Sequence, residues 1–68
     1  MQESQKPPIL VNTADAARLL ALSASHLEKL RFYRDSHGPP YVRLGRAIRY
    51  RISDLEAWAA ARVRESQQ

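Results

Sequence analysis

A chain of 68 residues makes one domain, near the size at which a single core only just offsets the chain entropy lost on folding, so separate catalytic and binding domains are excluded. It has no cysteine, which excludes disulfide frameworks and thiolate metal sites and fits a reducing compartment. The formal net charge of +4 is local: residues 31 to 51 hold six Arg and one Asp, a sum of +5, whereas the rest carries five basic and six acidic residues. Such a patch steers polyanions, nucleic acid first and an anionic membrane surface second. Membrane binding usually adds a basic amphipathic helix or a lipidation signal, and the sequence offers neither.

Residues 1 to 8 are polar and close in Pro7-Pro8, which predicts a disordered leader, too polar for a signal peptide. No run reaches the roughly 18 apolar residues of a membrane span. The expected location is the cytoplasm, on the nucleoid. Ile9-Leu10-Val11 predicts a small strand or a strap across the core. Thr13 is placed to cap a first helix running to about Leu20, with Asp15 in its first turn and Ala16, Ala17 and Leu20 on one face.

After a break in which Leu22 plugs the core, Ser23 caps a second helix from about Ala24 to Arg34. Two short helices across a tight turn have a helix-turn-helix shape. Leu27 and Leu30 mark the buried side of the second helix, flanked by Ala24 and Arg31. Ser25, Lys29 and Phe32 point the opposite way, with His26 and Tyr33 to one side. A hydroxyl, an amine and aromatic rings on one exposed face suit base edges in a major groove.

Asp35 to Pro40 predicts a loop. From Tyr41 to Ile52, apolar and cationic residues alternate about Gly45, which predicts a β-hairpin with one basic face. Val42, Leu44, Ile48, Tyr50 and Ile52 share one parity, Arg43, Arg49 and Arg51 the other, and Arg46 occupies the turn. A guanidinium is a planar fork of donors suited to phosphate and base edges. Ser53-Asp54-Leu55-Glu56 matches a capping box that opens a third helix to about Arg64, whose periodicity packs Leu55 and Trp58 into the core. Residues 65 to 68 are expected to fray as a tail, which leaves an expected domain of residues 9–64.

The two histidines, His26 and His37, lie on different elements without a metal-ligand spacing. No nucleophile elbow or paired-carboxylate spacing occurs, and two glycines cannot build a phosphate loop or dinucleotide fingerprint. The expectation is a binding protein, neither enzyme nor metal protein, with no cofactor and no small-molecule substrate. Single-stranded RNA recognition prefers an aromatic sheet platform, against which Tyr41 and Tyr50 fall on opposite parities.

Leu10-Val11-Asn12-Thr13, Ala16-Ala17, Leu22-Ser23, Gly38 to Arg46, Ile48 to Arg51 and Ser53 to Trp58 together resemble the AlpA and excisionase family of small helix-turn-helix proteins, which have a MerR-like winged-helix fold. The resemblance covers about residues 9 to 62. It implies an α+β domain of three helices and a two-stranded hairpin wing. It further implies that the second helix enters the major groove of double-stranded DNA while the wing lies over phosphates or the adjacent minor groove. On that reading Ser23, Ser25, His26, Lys29 and Tyr33 form the recognition helix surface, and Arg43, Arg46, Arg49 and Arg51 the wing contacts.

Family members look like products of phages and integrative elements. They act as recombination directionality factors or as transcriptional regulators of an integrase gene, with integrase or neighbouring copies on DNA as partners. Two positions depart from the family pattern: Ala21 replaces the usual turn glycine, and Ala47 follows Arg46 where a second basic residue is common. The competing expectation is a protein-interaction adaptor or small inhibitor using the same fold, with Phe32, Tyr33 and the third helix against a partner.

Overall fold

The first helix is capped one residue earlier than expected, by Asn12, so that Thr13 is its first residue. Asn12 holds extended backbone at φ −79° and ψ 176°, and its side-chain oxygen accepts from the Asp15 N–H at 2.8 Å. Both Asn12 and Thr13 are capping residue types, and the one whose oxygen reaches the third helical amide sets the start. In the computed structural model, which describes residues 9–33 and 38–66, six elements follow one another. They are β1 (Leu10–Val11), α1 (Thr13–Leu20), α2 (Ala24–Phe32), β2 (Val42–Leu44), β3 (Ala47–Arg51) and α3 (Ile52–Ser66). The leader at residues 1–8, residues 34–37 with the expected end of the second helix and the start of the loop, and residues 67–68 lie outside the described residues.

The turn between α1 and α2 is a left-handed cap built without glycine. Ala21 sits at φ 58° and ψ 39°. Its N–H donates to the Arg18 carbonyl at 3.1 Å, and the Leu22 N–H reaches back to the Ala17 carbonyl at 2.8 Å. These are the two bonds of a Schellman motif, which satisfy carbonyls that the helix end leaves open. Leu22 is half-buried behind the turn. Ser23 then caps α2 as expected, its hydroxyl accepting from the His26 N–H at 3.0 Å.

β3 lies between β1 and β2, antiparallel to both, so the expected hairpin gains a third strand. The cross-strand pairs are Leu10 with Arg51, Val11 with Tyr50, Val42 with Arg49, Arg43 with Ile48, and Leu44 with Ala47. Between β2 and β3, Gly45 takes φ 63° while Arg46 stays out of positive φ, the sign pattern of a type II′ hairpin turn.

Val11, Ala16, Ala17, Leu27, Tyr50 and Leu55 form the buried core, with Leu20, Leu30, Ile48 and Ile52 packed against it. Full burial of Leu27 and Leu55 stabilises the fold by roughly 1.5–3 kcal/mol each. The large aromatic residue of the core is Tyr50, 1 % exposed, rather than Trp58. Trp58 is half-buried, with the Arg62 guanidinium 5.4 Å from its ring centroid, so the ring lies under a cation at the surface.

α3 starts at Ile52, directly after β3 and ahead of the expected Ser53, and the Ile52 N–H donates to the Ile9 carbonyl at 3.1 Å, continuing the β1–β3 register. It continues to Ser66, beyond the expected end near Arg64. Arg62 pairs with Glu65 at 2.8 Å, and the Ser66 hydroxyl donates to the Arg62 carbonyl at 2.8 Å.

Candidate nucleic-acid interface

The open side of α2 is set by where Leu27 goes. With Leu27 fully buried against the core, a 3.6-residue period turns Ser25, His26 and Lys29 outward, and all three are exposed. Ser23, Ser25, His26, Lys29, Leu30 and Tyr33 surround one shallow, open depression along this helix. The five residues expected on the recognition surface are therefore brought together, with Leu30 beside them. At the far end of α2, Phe32 is 75 % and Tyr33 62 % exposed, so neither ring closes the core.

The hairpin differs from the expected single basic face. Residues directly across an antiparallel pair share a face. Arg43 lies opposite Ile48 and so joins the face of Ile48, Tyr50 and Val11, the side turned to the helices. Arg49 and Arg51 lie opposite Val42 and Leu10, on the outer face with Leu44 and Ala47. The two-residue turn pairs even positions with odd ones, which reverses parity between the strands. Guanidinium groups therefore stand on both faces of the wing, with Arg46 at its tip.

The same register corrects the parity argument about RNA. One step beyond the ladder, Tyr41 falls across from Tyr50, and their ring centroids lie 6.1 Å apart at 52°. The two rings share a face after all. Tyr50 is buried, however, so the pair offers no open stacking platform.

The arginines are not equivalent donors. Arg51 is bound twice by Asp54, Nε to Oδ2 at 2.8 Å and Nη2 to Oδ1 at 3.0 Å. The hydrogen bond and charge of Asp54 raise the Arg51 guanidinium above its ordinary pKa. Arg49 is half-buried and donates from Nη1 to the Ile48 carbonyl at 2.8 Å, which leaves its other donors available. Arg43 and Arg46 are exposed and have no ion-pair partner among the described residues. Arg31 faces inward, donating from Nη1 to the Tyr50 hydroxyl at 3.0 Å and to Thr13 Oγ1 at 3.3 Å. Arg34 lies outside the described residues.

Sequence reasoning missed two of these partners. Asp54 stands three residues after Arg51, a spacing that signals an ion pair across the start of a helix. The link from Arg31 to Tyr50 spans 19 positions and has no local signal. Among the described residues, no group of three or more His, Asp or Glu side chains is arranged to hold a metal ion. No described helix is long and apolar enough to cross a membrane.

A capped helix after a tight turn, with hydroxyl, imidazole and amine groups on its open side and an arginine-bearing hairpin beyond it, defines a small winged helix-turn-helix domain. Comparison with family models agrees: the model described as "Helix-turn-helix domain" matches residues 10–63. The chain belongs to that family, whose fold supports binding to double-stranded DNA. Among curated proteins, none matches the chain.

Proposed function

We propose that the protein binds double-stranded DNA sequence-specifically, with α2 in the major groove and the β2–β3 wing against phosphates or the neighbouring minor groove. The observation that carries this reading is the convergence of Ser23, Ser25, His26, Lys29 and Tyr33 around one open depression on a capped helix of a helix-turn-helix domain. Ser25, His26 and Lys29 address base edges, while Arg43, Arg46 and Arg49 supply most of the affinity through phosphate contacts. Arg51 adds less, because it must exchange Asp54 for a phosphate.

The resemblance to excisionase-type proteins with a MerR-like fold extends the reading to a biological role. The protein acts as a recombination directionality factor, as a regulator of an integrase gene, or as both, working with integrase or with neighbouring copies on DNA. It positions and bends DNA and makes or breaks no covalent bond. The test is a titration of the purified chain against the attachment region and integrase promoter of its own element, with scrambled duplex as control and salt varied. Tight binding to either over the control supports the role, and equal weak binding to all three removes it.

A second reading, as a protein-interaction adaptor or small inhibitor, is favoured by one observation. Phe32, Tyr33 and Tyr41 are exposed aromatic residues, and two of them line a depression with Pro39 and Pro40. Binding to a protein partner that persists at high salt, without DNA binding at low salt, selects this reading.

A further inference from the structure

Arg31 belongs by sequence to the basic segment, yet its guanidinium is turned away from the open side of α2. It joins three elements: its own helix, the first residue of α1 through Thr13 Oγ1, and the central strand of the sheet through the Tyr50 hydroxyl. Two aromatic rings lie near it, with the Phe32 centroid at 5.9 Å and the Tyr41 centroid at 5.8 Å. The Tyr50 oxygen that receives it sits on a 1 % exposed side chain, so this end of the link is fixed by the core. The planar fork is suited to this task, because two donor bonds and two ring contacts restrain orientation as well as distance.

α2 and the wing strand must meet two separate parts of one duplex. An α-helix reads base edges only when its side chains are placed to within a fraction of a hydrogen-bond length, whereas phosphate contacts tolerate reorientation. The loop end presses on the same turn of α2: a Cβ added at Gly38 would lie 2.8 Å from the Leu30 Cβ. We infer that Arg31 is a positioning residue that sets the angle between the recognition helix and the wing, and thereby sequence discrimination, without touching DNA. The inference rests on the DNA-binding reading.

The test compares wild type with Arg31→Met, Arg31→Lys and Tyr50→Phe, the last removing only the hydroxyl from a core ring. The probes are a duplex enriched by wild type from a random-sequence library and a scrambled duplex of equal length. The expected result for Arg31→Met and Tyr50→Phe is an affinity for scrambled duplex within about twofold of wild type and an unchanged salt slope, with discrimination between the two duplexes reduced about tenfold. Arg31→Lys restores part of that discrimination, and the double variant is no worse than the poorer single one.

Loss of affinity for both duplexes, with the salt slope reduced by about one, would make Arg31 a phosphate contact and overturn the inference. Unchanged discrimination in Tyr50→Phe, with the fold intact by circular dichroism, would also overturn it. Wild type that binds neither duplex removes the DNA reading itself, an outcome distinct from both.

Discussion

Val42 stands directly across the hairpin from Arg49, and this pairing divides the wing arginines between its two faces. Arg49 and Arg51 share the outer face with Val42 and Leu44, Arg43 takes the helix-facing side with Ile48, and Arg46 sits at the turn. On the DNA-binding reading proposed above, such a hairpin would offer donors on both sides and at its tip, a distribution suited to standing edge-on in a groove rather than lying flat on one strand.

Arg49→Ala should weaken binding to all duplexes alike and reduce the salt slope by about one phosphate contact. Arg51→Ala should have a smaller effect, since its donors are already held by Asp54. Asp54→Asn should act in the opposite direction, tightening binding to scrambled duplex by releasing Arg51 and removing a negative charge. Fluorescence titrations of the three variants across salt measure these signs.

Lys29→Ala is expected to change which duplex is preferred, because Lys29 projects from the open side of α2 beside Ser25 and His26. A lost base contact costs about 1–3 kcal/mol against the preferred sequence and little against others. Competition between the preferred duplex and its single-base variants checks this, and an equal loss on every duplex would refute a reading role for Lys29.

Ala21 adopts φ 58°, a region in which a Cβ crowds the following carbonyl. Ala21→Gly should stabilise the protein by about 1 kcal/mol, raising Tm by roughly 4–8 °C for a domain of this size. Thermal unfolding followed by circular dichroism reads the shift.

Gly38 lies where a side chain would meet the Leu30 Cβ at 2.8 Å and the Leu30 carbonyl oxygen at 3.3 Å. Gly38→Ala should cost about 1–3 kcal/mol of stability by forcing the loop off α2. Ser23→Ala removes the cap of the recognition helix and should cost about 1 kcal/mol. Urea unfolding measures both losses.

Much of the fold was legible in local signals. Ser23 before Ala24, the small residues Ala16 and Ala17, and the alternation around Gly45 each report an element through chemistry within a few positions. The face of each arginine was not legible from parity alone. Parity orders side chains within a strand, but the phase between strands depends on the turn, and a two-residue turn pairs position 42 with 49 rather than with 50. Trp58 misled for a related reason. Helical spacing placed it beside Leu55, but the stripe is wider than the buried contact, and Arg62 covers the ring from outside. The open surface of α2 was readable because a single buried residue, Leu27, sets the rotation of a short helix. The tie from Arg31 to Tyr50 was not, since it joins elements whose approach is fixed only by the packed core.

The most direct measurement is an amide chemical-shift titration of the isotopically labelled chain with duplex DNA at two salt concentrations. Saturable changes are expected at Ser25, His26 and Lys29 on α2 and at Arg46 and Arg49 on the wing, weakening as salt rises. Changes confined to Phe32, Tyr41 or α3, or no saturable change with any duplex, would contradict this reading.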